Sequence, residues 1–148
     1  MKSIAKTLGD HHRLCDELFA KCETAALEGR WQEAQDLHAG FARVLDAHLR
    51  AEEGVLFPAF ESFTGSTSGP TQVIREEHKQ MRDILERLGL AASQRQSETF
   101  GDLGETLLIL MQQHNLKEEN ILYPICDRSL AKRVQELANR LEEVLAAS

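Results

Sequence analysis

Proline and cysteine are scarce, at three each in 148 residues, aromatic side chains make up 5% of the chain, and the longest strictly apolar run is the five residues from Leu107 to Met111. Each shortage excludes something. A run of five is far below the roughly 20 residues that cross a bilayer, and Met1-Lys2-Ser3-Ile4-Ala5-Lys6 contains no apolar leader, so no membrane partner and a cytoplasmic location are expected. Cys15, Cys22 and Cys126 are odd in number and form no C-x-x-C pair, which fits reduced, partly buried thiols better than a disulfide frame or a thiolate zinc site. The β-branched runs and closely spaced turn signals of a sandwich or barrel are missing. Clustered Lys and Arg are also missing. A formal net charge of −7 and a pI near 5.4 argue against a phosphate-binding surface, and nucleic acid is not an expected partner.

What is abundant is Leu, Ala, Glu, Gln and Arg, which favour helices. The length suits one domain spanning residues 1–148, able to bury roughly two-thirds of the surface its unfolded form exposes. An internal repeat organises it. HLRAEEGVLFP, from His48 to Pro58, aligns without a gap on HNLKEENILYP, from His114 to Pro124, and the same offset of 66 residues carries His12 onto His78. Two halves imply a pseudo-twofold arrangement, since a solenoid needs three or more units.

Turn signals at Gly29-Arg30, at Thr64 to Pro70 and between Gly89 and Ser97 divide the chain into four helical segments, about 8–28, 31–62, 70–90 and 97–127. They pair into hairpins of about 8–62 and 70–127. Phe41, Leu45, His48, Glu52 and Val55 share one helical face; Ile74, His78, Met81 and Leu85 share another; Leu107, Met111, His114, Glu118 and Ile121 share a third. Leu8, Cys15, Leu18 and Phe19 surround His12. Pro58 and Pro124 are expected to kink or end their helices. A last segment, about 129–147, carries a stripe of Leu130, Val134, Leu137, Leu141 and Leu145 that caps the bundle or forms a homodimer contact. The fold class is therefore all-α, an up-down-up-down four-helix bundle with a short additional C-terminal helix.

In an antiparallel bundle, equal distance from a connecting turn means equal height. His12 and His48 are centred on position 30, His78 and His114 on 96, and His48 and His78 on 63, all at or beside turns. At about 1.5 Å rise per residue the four histidines fall in one cross-section. Glu52 and Glu118 each follow a histidine by four residues, so imidazole and carboxylate project from one face one turn apart. Six inward ionisable groups in an apolar slab carry a large desolvation cost unless they are paired or bind a cation. His12, His48, Glu52, His78, His114 and Glu118 are thus the expected metal ligands. His11 maps onto Glu77 and is expected to be exposed. Asp16 pairs with Arg82, ligates a metal, or is a surface carboxylate. Glu53 and Glu119 read as exposed helix residues, or else as acceptors for imidazole N–H groups or extra ligands. Trp31, Phe57 and Tyr123 read as core packing, with Tyr123 near enough in sequence to line the site.

Four imidazoles and two carboxylates exceed the needs of one tetrahedral zinc and suit iron, with manganese and zinc as the other candidates. The paired H-x-x-x-E motifs, each followed by E-x-x-[LI]-[FY]-P, resemble the hemerythrin family in its bacterial HHE-type branch, over nearly the whole chain. The resemblance implies a non-haem di-iron centre bridged by oxo or hydroxo and by Glu52 and Glu118, with His12 and His48 on one iron and His78 and His114 on the other. Oxygen carriers of that family bear a further histidine where this chain has Arg82. That departure points away from carriage and toward a metal-binding protein or sensor that handles O2, NO or iron, including under nitrosative stress. The alternatives are a di-iron oxidoreductase acting on peroxide or NO, and an iron-centre repair protein.

Overall fold

The computed structural model describes residues 2–147, and among them there is no strand. Helix α1 runs over Ile4–Leu27, α2 over Trp31–Ala51, α3 over Phe57–Thr64, α4 over Pro70–Ser93, α5 over Ser97–Lys117, α6 over Tyr123–Ser129 and α7 over Val134–Ala146. Helix α1 packs on α2, α2 on α4, α4 on α5 and α5 on α1, which closes a four-helix bundle. None of these helices is long and apolar enough to cross a membrane.

The first helix begins four residues before the expected position 8. Its cap is Ser3, whose Oγ accepts from the Lys6 N–H at 3.0 Å, and Asp127 accepts from the Ile4 and Ala5 N–H groups at 2.8 and 3.1 Å. The Asp127 contact joins residues distant in sequence and leaves no local signal. Helix α7 lies across α1, α2 and the turn after α2, with Leu137 and Leu141 fully buried, so the C-terminal stripe caps the bundle.

The prolines neither end nor replace their helices. Five-residue π-helical turns, Glu52–Leu56 and Glu118–Leu122, lead directly into α3 and α6, and the N–H groups of Phe57 and Tyr123 bond to the carbonyls of Glu52 and Glu118. Pro58 and Pro124, which have no N–H to give, follow as the second residues of α3 and α6. Widening one turn absorbs the proline and rotates everything beyond it. Ile121, expected inside, is 56% exposed, and Leu122 is buried in its stead.

Two apolar clusters divide the interior. One holds Phe19, Phe41, Met81, Leu88 and Leu107, toward the two tight hairpin turns; the other holds Ile4, Leu8, Leu56, Phe57, Tyr123 and Leu141. Each histidine of the repeat falls in sequence between a residue of one cluster and a residue of the other, as His12 does between Leu8 and Cys15. The polar layer therefore sits at the waist.

Gly89 does not start the second hairpin turn. It lies inside α4, where a Cβ would stand 2.5 Å from the His38 ring, and His38 Nε2 donates to the Leu85 carbonyl at 2.8 Å. The turn comes later and repeats the first at the 66-residue offset. Arg30 and Gly29 donate to Ala25 and Ala26, while Gln96 and Arg95 donate to Ala91 and Ala92. Gly29 at φ 74° and Arg95 at φ 53° occupy equivalent left-handed positions, where glycine carries no Cβ penalty and arginine does. Arg95→Gly is expected to stabilise the protein by about 0.5–1 kcal/mol after the added freedom of the unfolded chain is deducted. That is a rise of about 2–4 °C in the thermal midpoint, and an unchanged or lower midpoint contradicts it.

Candidate metal centre

The bundle brings all six expected ligand residues together. His12 stands on α1, His48 on α2, His78 on α4 and His114 on α5, each 3% exposed or less, and Glu52 and Glu118, the opening residues of the two π turns, are completely buried. All four histidines point Nε2 inward. His12 Nε2 lies 3.0 Å from Glu118 Oε1, His78 Nε2 3.1 Å from Glu52 Oε1, His114 Nε2 3.1 Å from Glu118 Oε1 and His48 Nε2 3.7 Å from Glu52 Oε1. The donor atoms form two groups whose members lie within 4.8 Å of one another: Glu52, His78, His114 and Glu118, and His12, His48 and Glu118.

Behind each ring, Nδ1 finds its own partner. His12 Nδ1 donates to Glu119 at 2.8 Å and His78 Nδ1 to Glu53 at 2.7 Å, each carboxylate coming from the opposite half of the repeat. His114 Nδ1 donates to Glu77 at 3.0 Å, and Glu77 also receives Lys117. His48 departs from this pattern, because its Nδ1 faces His11 Nδ1 at 2.9 Å with the two rings stacked 5.0 Å apart. Glu53 and Glu119 are therefore imidazole acceptors rather than exposed helix residues, and His11 is half-buried rather than exposed. The signal was present in the repeat, which puts His11 where the other half has Glu77. Its meaning required knowing that position to face the next helix.

Arg82 donates to both oxygens of Glu53, at 2.7 and 3.0 Å, and lies 3.5 Å from Asp46. It does not pair with Asp16. That residue lies at the surface and joins neither ligand group; the partial desolvation of its carboxyl, with nearby Glu119, pushes it up against the pull of His12. Tyr123 is more than packing. Its hydroxyl reaches Glu52 Oε2 at 2.6 Å, Glu118 Oε1 at 2.9 Å, His12 Nε2 at 3.2 Å and His48 Nε2 at 3.5 Å. The π turn makes this possible, since residues five apart superpose on it where an α-helix would turn them away from each other.

The electrostatics are those of a cation site. Burial disfavours charge throughout, and where carboxylates cannot offset it the imidazole stays neutral, as at His48, held well below the usual range. At His114 burial acts the same way, but Glu118 and Glu52 overcome it and hold the imidazole at about 11. Burial and the facing Glu52 push the Glu118 carboxyl up, whereas Glu53, though burial opposes it, is brought down to about 2 by His78 and Arg82. Burial pushes the Cys15 and Cys126 thiols up to about 12, so neither offers a thiolate.

Among the described residues, two buried side-chain atoms have no hydrogen-bond partner: His114 Nε2 and Glu118 Oε2. Buried polar atoms are nearly always satisfied, and both of these belong to the inward donor set. The nitrogen and oxygen donors, with two atoms lacking a protein partner, fit a metal ion bound among them.

A helical bundle whose waist holds four histidines and two glutamates in this order defines a class of cation-binding proteins. The profile of the hemerythrin HHE cation binding domain matches residues 3–126, and the chain belongs to that family. A curated relative from Nostoc sp. (strain PCC 7120 / SAG 25.82 / UTEX 2576), named as a DNA nickase, is 30% identical over 105 residues, or 71% of this chain. The match covers 29% of that protein, so the chain spans under a third of the relative's length. No solved structure matches the chain significantly.

Without metal, the raised His114 imidazole and Glu118 carboxyl make stability depend on held protons. A group whose folded pKa lies above its unfolded value stabilises fully below the unfolded value and loses that contribution as pH rises through the folded one. For His114 the window runs from 6.5 to about 11. Chelator-treated protein is expected to lose stability to urea as pH rises from 7 to 10, with a shallower slope in His114→Gln. A flat profile in the wild type contradicts the assignment.

Proposed function

We propose that the chain holds a non-haem di-iron centre and senses or handles O2, NO or iron. One ion would be held by His12 and His48 and the other by His78 and His114, with Glu52 and Glu118 as the carboxylates available to both. The observation that carries this reading is the pair of buried atoms without a hydrogen-bond partner in the donor layer, Glu118 Oε2 and His114 Nε2, the latter in ion-pair contact with Glu118 Oε1 at 3.1 Å. Nitrogen-rich mixed donors without a thiolate favour iron over a structural zinc site. Iron bound there supplies redox chemistry and affinity for diatomic ligands.

The chain's own residues do the rest. Glu119, Glu53 and Glu77 fix the tautomer of His12, His78 and His114 by accepting from Nδ1, which leaves Nε2 free to bind and raises its basicity. Arg82, at the place where oxygen carriers of the family bear a further histidine, is engaged by Glu53 and Asp46 and does not reach the donor layer as a ligand. That favours sensing over reversible carriage. The Nostoc relative's DNA nicking is not carried over, because the chain has a formal net charge of −7 and Arg82 and Lys117, behind the donor layer, are paired with Glu53 and Glu77.

Purified protein from iron-rich medium is expected to contain two iron ions per chain, with content well below two in His114→Ala and Glu118→Ala. Equal metal in wild type and variants removes the reading. Glu53→Gln and Glu119→Gln keep the ligands but weaken the acceptors, and iron affinity by competition with a chelator is expected to fall about 10- to 100-fold. An optical response of the iron-loaded protein to O2 or NO supports sensing; indifference to both leaves a purely structural metal site.

A further inference from the structure

The 66-residue repeat makes the two halves of the centre chemically alike except where paired positions differ, and one difference lies within the donor layer itself. Phe57 and Tyr123 are equivalent positions. Both rings lie against a histidine of the site, Phe57 at 5.6 Å from His78 and Tyr123 at 5.7 Å from His12, measured between ring centres. Only Tyr123 carries an oxygen, and it is the chain's single tyrosine.

That oxygen closes a triangle. The Tyr123 hydroxyl lies 3.2 Å from His12 Nε2 and 2.9 Å from Glu118 Oε1, and those two atoms lie 3.0 Å apart. Adjacent donors that bind one ion at about 2.1 Å stand about 3 Å from each other, so three edges of this length are one face of a coordination polyhedron. His48 Nε2, 3.5 Å from the same oxygen, supplies the next corner. Among the described residues the hydroxyl bonds to site residues alone, and its proton serves Glu52 or Glu118.

The surroundings of the two halves diverge in the same sense. The carboxylates behind His78 and His114 are paired with cations, Glu53 with Arg82 and Glu77 with Lys117. The repeat puts Asp16 and Ala51 where those cations stand, and behind His48 it puts the imidazole of His11. The His12/His48 side thus combines a phenol oxygen with a shell lacking those two cations, conditions that favour a hard, highly charged ion.

We propose that Tyr123 is a ligand of the metal held by His12 and His48, bound through its phenolate oxygen, and that the two metal positions are therefore inequivalent. On ligation the O–H bond breaks, the O–metal bond forms, and the proton leaves to solvent, as metal binding displaces protons from other protein ligands. The inference rests on the di-iron reading above, and its test separates the two.

Oxidised iron-loaded protein, prepared once with ordinary and once with ring-deuterated tyrosine, is examined by resonance Raman spectroscopy within its visible absorption. Because the chain has one tyrosine, phenolate ring modes that shift on deuteration assign the ligand without any substitution. The expected result is such modes in the wild type, with loss of the visible phenolate band in Tyr123→Phe while iron remains near two per chain. Two irons per chain with no tyrosine-sensitive mode overturns the Tyr123 assignment and leaves the di-iron reading intact. Failure of the wild type to take up iron overturns both.

Discussion

Six ionisable side chains buried in the waist of a helical bundle are the condition on which the rest of the structure depends. No apolar packing offsets the cost of desolvating them. The fold meets much of it with the Glu52 and Glu118 carboxylates at the centre and with a further carboxylate behind the rings of His12, His78 and His114, while His48 faces the His11 imidazole. The apolar clusters above and below keep water from doing the same work. A cation at the centre would complete the arrangement, because it would engage the two donor atoms that have no hydrogen-bond partner in the protein.

The large features were legible in the sequence because they rest on spacing. The offset that pairs His12 with His78 and His48 with His114, and the equal distances of these residues from the turns, are linear facts that a bundle converts directly into height. The six proposed ligand residues, the all-α class and the family followed. The features that escaped depend on direction rather than height. Counting in threes and fours puts Ile121 on the inward face, and the π turn that turns it outward has no sequence mark apart from a proline that equally well ends a helix. Glu53 and Glu119 look like ordinary solvated helix residues until α1 and α4 are set against the turns that carry them. Gly89 looked like a turn, and only the His38 ring against it explains its size.

The π turns connect these corrections. Each lies where a proline would otherwise cost a hydrogen bond, each begins with a central glutamate, and each stacks an aromatic residue above that glutamate five positions on. One local adjustment thus deals with the proline, aims the next carboxylate at a histidine on another helix, and brings Tyr123 over the donor layer.

The crossing of those carboxylates makes each half of the chain depend on the other. A single hairpin of this kind holds two histidines and one central glutamate, but the acceptor for its first histidine projects away from it, toward a neighbour. Two identical hairpins meeting face to face would each complete the other, so the smallest self-sufficient unit of this kind is a symmetric pair. With both in one chain, neither copy has to match its twin, and His11 and Tyr123 stand at positions where the two copies differ.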